Sequence, residues 1–126
     1  MSTIEKFEDL EVWKKSIALA KDIYELSDKG KLAHDFGMKD QIRRAACSIS
    51  NNIAEGFENQ SNKQMTRFLY IAKGSCGELR SQVHLISSLD LMSKEKESEL
   101  NNKCIEISKM LAGFIKYLQN FKTKTS

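Results

Sequence analysis

The stretch SNKQMTRFLYIAKGSCGELRSQVHLISS, residues 61–88, decides the fold. Its apolar positions are Met65, Leu69, Ala72, Cys76, Leu79, Val83 and Ile86, with spacings that alternate between four and three without a slip. That period places one stripe on one face of an α-helix and excludes the strict alternation of a half-buried strand. Ser61 with Gln64 three residues on forms a capping box, so a helix is predicted over 61–89. The same alternation returns at Leu100, Cys104, Ile107, Leu111, Phe114, Leu118 and Phe121, predicting a second helix over 93–121 that opens near Ser93.

Upstream, Met38, Ile42, Ala45, Ala46, Ile49 and Ile53 make the stripe of a helix over 36–57, capped by Asp35 and ending near Gly56. The polar run Glu58-Asn59-Gln60-Ser61 then reads as a tight turn between helices. A first helix is predicted over 9–29, with Asp9 as its N-cap and Gly30 as its stop. Its stripe is Leu10, Trp13, Ile17, Ala20 and Tyr24, widened by Leu19, Ile23 and Leu26. Residues 31–34 form a loop, and residues 1–6 and 122–126 read as frayed ends. The chain has no proline, as uninterrupted helices require. Four helices with short connections pack as antiparallel neighbours crossing at roughly 20°. The fold class is therefore all-α, an antiparallel up-and-down four-helix bundle, as a single domain over 1–126.

At 126 residues and 40% hydrophobic content the chain can bury one core. The net charge of +3 permits an anionic partner without demanding one. The three cysteines, Cys47, Cys76 and Cys104, are odd in number and widely spaced, which does not suggest a disulfide framework. No leader-like apolar segment or membrane-length run is evident, so the expectation is a reduced, cytoplasmic protein with no membrane partner.

Catalytic and metal constellations are missing from the pattern. A carboxylate-bridged di-metal bundle needs Glu-x-x-His pairs. The two histidines, His34 and His84, follow Lys31 and Ser81 at that spacing. No Gly-x-Ser-x-Gly elbow or glycine-rich phosphate loop occurs. Cys76 and Cys104 lie on apolar stripes and read as small core residues. The reading is a non-enzyme with no catalytic residue, metal or cofactor.

Gly74 and Gly77 fall inside a predicted helix, each at a cost of about 1 kcal/mol relative to alanine. Close backbone approach is the expected offset. Folding the two central helices back on a turn near Asn59 pairs positions whose numbers sum to about 118. Ala45 then faces Gly74 and Ser48 lies near Ile71. In the same register Gln41 and Arg44 approach Glu78 and Ser75, while Asn52 and Glu55 approach Lys63 and Arg67. Gln41, Arg44, Asn52, Glu55, Ser75 and Glu78 are thus the expected interhelical polar contacts.

Charge is uneven along the chain. Lys39, Arg43, Arg44, Lys63, Arg67, Lys73 and Arg80 face only Asp40, Glu55, Glu58 and Glu78 within 39–80, whereas residues 7–30 are acidic. A basic hairpin of this kind could follow a phosphate backbone, and these seven cations are the candidate nucleic-acid contacts. Aromatic residues to stack bases are limited here to Phe57, Phe68 and Tyr70.

The segments FEDLEVW (7–13), DQIRRAA (40–46), SISNNIAEG (48–56), RFL (67–69) and AKGSCGEL (72–79) together resemble the four-helix-bundle proteins encoded in 23S rRNA intervening sequences. Accessory proteins of diversity-generating retroelements are similar as well. The resemblance spans about Phe7 to Tyr117. It implies a ring-shaped homopentamer and a role linked to RNA or DNA, directly or through a protein partner such as a reverse transcriptase. It carries no catalytic residues. Relatives often hold a proline in the first interhelical loop, which is here Gly30-Lys-Leu-Ala-His-Asp35.

Overall fold

The computed structural model describes residues 4–59 and 61–125. Its elements are a 3-10 turn at Phe7–Asp9, helix α1 (Glu11–Ser27), a second 3-10 turn at Gly30–His34, and helices α2 (Phe36–Glu58), α3 (Asn62–Ser88) and α4 (Lys94–Thr125). No strand occurs among the described residues. Backbone contacts run around the ring α1–α2–α3–α4–α1, and among the described residues neither diagonal pair touches. This is the expected up-and-down four-helix bundle.

The caps explain most of the boundaries. Asp35 Oδ1 accepts from the Met38 amide at 3.1 Å, Ser61 Oγ from Gln64 at 3.1 Å, and Ser93 Oγ from Lys96 at 3.1 Å. Each satisfies a first-turn N–H that the helix cannot. At the end of α3, Asp90 takes a left-handed conformation with φ 59°, and the Leu91 amide reaches back to Ile86 O at 3.0 Å. That is a Schellman closure made without glycine.

Three boundaries differ from expectation. Asp9 does not cap α1: it ends the 3-10 turn, and Leu10 precedes the helix with no side-chain cap. α1 also stops at Ser27, and Gly30, at φ +61°, opens the second 3-10 turn. At the other end α4 continues to Thr125, so residues 122–125 are helical rather than frayed. The expectations for Met1–Thr3, Gln60 and Ser126 lie outside the described residues.

The core follows the stripes. All seven α3 positions from Met65 to Ile86 are buried, as are Ile42, Ala45, Ala46, Ile49 and Ile53 of α2. Leu100, Cys104, Ile107, Leu111 and Leu118 of α4 join them, with Ile115 added, while Phe121 is exposed. The face of α1 is rotated from the predicted one. Val12, Ser16, Leu19, Ala20, Ile23 and Ser27 are buried, and Tyr24 is exposed. Two serines sit in that face because backbone carbonyls accept their hydroxyls: Ser16 Oγ donates to Val12 O at 2.7 Å and Ser27 Oγ to Tyr24 O at 3.2 Å.

The close approach between α2 and α3 lies at Gly56, not at Gly74 or Gly77. A Cβ on Gly56 would meet Phe68 Cβ at 2.8 Å and Met65 Sδ at 3.1 Å, whereas one on Gly74 or Gly77 would meet nothing within 4 Å. The register is shifted too. Ser48 Oγ and Ser75 Oγ are hydrogen-bonded at 2.9 Å, so Ser48 lies opposite Ser75, one helical turn beyond Ile71. α2 runs to Glu58 and α3 begins at Asn62, which moves the centre of the fold-back past Asn59.

Candidate nucleic-acid interface

The seven candidate cations divide into two groups. Those of α2 are ion-paired within the chain, with Lys39 and Arg43 sharing one carboxylate. Arg43 reaches across to the end of α1, where Nε donates to Ser27 Oγ at 2.7 Å and Nη2 to Tyr24 O at 3.2 Å and Asp28 Oδ1 at 2.8 Å. Its guanidinium carbon lies 4.2 Å from the Tyr24 ring centroid. Lys39 Nζ meets the same Asp28 oxygen at 3.2 Å. The hydrogen bonds from Lys39, then Arg43, hold the Asp28 carboxyl below its ordinary value. Arg44 pairs with Asp40 of its own helix at 2.8 Å, both side chains largely exposed.

The cations of α3 have no carboxylate partner among the described residues. Lys63 and Lys73 are exposed, Arg67 stands 5.9 Å from the centroid of the neighbouring Phe68 ring, and Arg80 Nε donates to the neutral Asn101 Oδ1 at 2.9 Å. α3 holds these four against Glu78 alone, while α2 balances three cations with three carboxylates. Between Arg67 and Lys73 stands the exposed Tyr70, whose hydroxyl accepts from Gln119 Nε2 at 3.4 Å. From Lys63 to Arg80 the stripe rises about 26 Å.

Towards its C-terminal end α3 faces α4 across an open cleft of about 610 Å³, lined by Gly77, Arg80, Ser81 and His84 on one side and Lys94, Glu97, Ser98 and Asn101 on the other. His84 Nδ1 lies 2.8 Å from Glu97 Oε2, and Lys94 Nζ is 3.9 Å from Oε1. Ser87, then His84, holds the Glu97 carboxyl below its ordinary value. Ser87 Oγ is buried and approaches Glu97 without meeting the full geometry of a hydrogen bond.

The expected interhelical polar set is only partly brought together. Ser75 bonds Ser48, and Asn52 Nδ2 donates to Ser48 O at 2.8 Å and Ser48 Oγ at 3.0 Å. Arg44 turns to Asp40, and the side chains of Gln41, Glu55 and Glu78 are exposed without a hydrogen bond or ion pair among the described residues. The shift of one turn separates them. Asp28, Ser27, Asn101 and Glu97 were not expected as partners. Asp28 offered one signal: a carboxylate at a helix C-terminus opposes the macrodipole and calls for a nearby cation. Among the described residues no three His, Cys, Asp or Glu side chains gather to hold a metal, and no helix is long and apolar enough to cross a membrane.

The family model for the 23S rRNA-intervening sequence protein matches residues 8–113. The chain belongs to this family. Among solved structures, the chain is similar to a protein with unknown function from the S23 ribosomal protein family of Bacteroides thetaiotaomicron VPI-5482. The two are 30% identical with a TM-score of 0.76, over 83% of this chain and 95% of the other. No curated protein matches. The family description names no reaction, and the solved relative is a protein of unknown function.

Proposed function

We propose that this protein is a non-enzymatic helical bundle that binds RNA or DNA through α3 and works as a homo-oligomer. The observation that carries the reading is the α3 stripe of Lys63, Arg67, Lys73 and Arg80, which no carboxylate neutralises among the described residues. Each phosphate such a side chain neutralises releases counterions, so affinity should fall steeply with salt. Tyr70 adds a face on which a base can stack. Of the seven cations, the interface loses Lys39 and Arg43, which are held side by side on Asp28, and Arg44, which is matched by Asp40. Fluorescence anisotropy with mixed-sequence single-stranded RNA and DNA tests this. Arg67→Glu with Lys73→Glu should abolish low-salt binding, while Arg44→Glu should leave most of it. Equal loss in both variants, or no binding by the natural chain, overturns the reading.

Exposed apolar side chains support a second reading, an adaptor that meets another protein. Phe36 is 76% exposed at the start of α2, and Leu85 and Leu89 are 47% and 53% exposed near the end of α3, at the same end of the bundle. Light scattering discriminates the readings. A mass near five times 14.4 kDa that falls in Leu85→Lys would assign this end to self-association. A monomeric mass would leave it to a different protein partner and remove the oligomer from the proposal.

A further inference from the structure

The cleft between α3 and α4 is more specific than a charged surface. We infer that it holds a phosphomonoester, gripped by Arg80 of α3 and Lys94 of α4. Arg80 is pre-oriented: its Nε is spent on Asn101, which leaves the terminal Nη groups to form a fork on an anion. Asn101 accepts through Oδ1 and keeps its amide N–H groups to donate. Ser81 and Ser98 add hydroxyls on the two walls. Glu97 is the one carboxylate lining the cleft among the described residues; it pairs with His84 and with Lys94, and Arg80 leaves the cleft one positive charge in excess. A monoester carries close to two negative charges near neutral pH, against one for a backbone diester, and so matches two cations on facing helices better.

Gly77 offers a probe of the cleft. It lines the cleft in the middle of a helix, where glycine is less favourable than alanine. Among the described residues nothing lies within 4 Å of the position a Cβ would take, as is also true at Gly74 and Gly113. A methyl on Gly77 would therefore disturb no packing and meet only what lies in the cleft, so Gly77→Ala reports on occupancy. The volume of about 610 Å³ falls within the range of small-molecule sites, about 300–1,000 Å³. The phosphate could be the end of a nucleic-acid strand, in which case this inference rests on the proposed function, or it could be a free phosphorylated molecule.

The test uses three single-stranded RNAs of one sequence, with a 5′-phosphate, a 3′-phosphate or neither, and inorganic phosphate titrated into isotopically labelled protein. A strand end in the cleft predicts about tenfold tighter binding of one phosphorylated RNA. Arg80→Gln and Lys94→Gln should erase the difference. Gly77→Ala should melt no lower than the natural chain yet lose the discrimination, and a variant that melts higher and still discriminates overturns the assignment. If all three RNAs bind alike and phosphate shifts no amide signal, the cleft inference falls and the α3 reading stands. If no RNA binds but phosphate shifts Gly77, Ser98 and Asn101 saturably, the cleft is upheld as a site for a free phosphate and the nucleic-acid reading falls. Silence in every arm overturns both.

Discussion

Arg43 Nε donates to Ser27 Oγ at 2.7 Å, joining α2 to the buried end of α1. Around that bond one guanidinium also satisfies Tyr24 O and Asp28. The side chain is only 20% exposed, so the contact is partly shielded from water. Arg43→Ala leaves the Ser27 hydroxyl with only its long bond to Tyr24 O and Asp28 with only Lys39. Hydrogen bonds to charged groups contribute about 1.5–3 kcal/mol, so a loss of about 2–3 kcal/mol is expected. Arg44→Ala breaks an exposed pair within one helix and should cost less than about 0.5 kcal/mol. Urea unfolding of the two variants checks the contrast, and equal midpoints would refute it.

The glycines make opposite predictions. At Gly56 a methyl would press on Phe68 Cβ, which is fixed to its own backbone and cannot swing away. Gly56→Ala should destabilise by about 1–3 kcal/mol through overpacking of the α2–α3 seam. Gly74→Ala should stabilise by up to about 1 kcal/mol, since the added methyl meets nothing and the helix gains propensity. Thermal melts of the two single variants would separate them by sign. A stabilising Gly56→Ala would mean the helices sit farther apart than described.

These cases show what the sequence could and could not disclose. The α3 and α4 stripes were legible because their buried positions are apolar, Ser87 at the end of α3 excepted, so periodicity alone located the face. α1 misled because Ser16 and Ser27 are buried, and a stripe read from apolar residues rotates past them towards Tyr24. Small residues marked the right pair of helices but the wrong level, since a glycine is equally invisible whether it faces a neighbour or solvent. The seven cations were found by counting. Their division into ion-paired and unpaired depends on Asp28 and Asp40, and so on where each side chain lies in the fold, which a count along the chain does not give.

Asp28 gives stability a pH dependence. Its carboxyl is held below the ordinary value by Lys39 and Arg43, so the folded state favours the ionised form. That contribution is complete above the unfolded value of about 3.9 and is lost as pH falls through the lower folded value. Asp28→Asn removes it. The natural chain should exceed the variant in stability at pH 7, and the gap should close on acidification below pH of about 4. Because Asp28 is largely exposed, the gap should also narrow in high salt. Denaturant titrations across pH 7 to 2.5 would show it, and a gap that widens in acid would contradict the assignment.

The three thiols should report on the α3–α4 seam. Burial pushes the Cys76 thiol up to about 11 and the Cys104 thiol up to about 12, the latter raised further by Cys76 beside it. At pH 8 roughly one part in a thousand of Cys76, and less of Cys104, is thiolate, the form that reacts. Both side chains are also closed off in the core. Cys47 is half-buried on α2, its sulfur 3.8 Å from the Tyr24 hydroxyl, and is within reach of reagent. A disulfide-exchange reagent at pH 8 should therefore label one cysteine per native chain quickly and all three in guanidinium. Reaction at Cys76 and Cys104 should follow local opening rather than reagent concentration. Cys47→Ser should leave the native chain almost unlabelled. If it labels at the natural rate, α3 and α4 separate readily in solution, and the cleft that opens between their outer edges is not a fixed one.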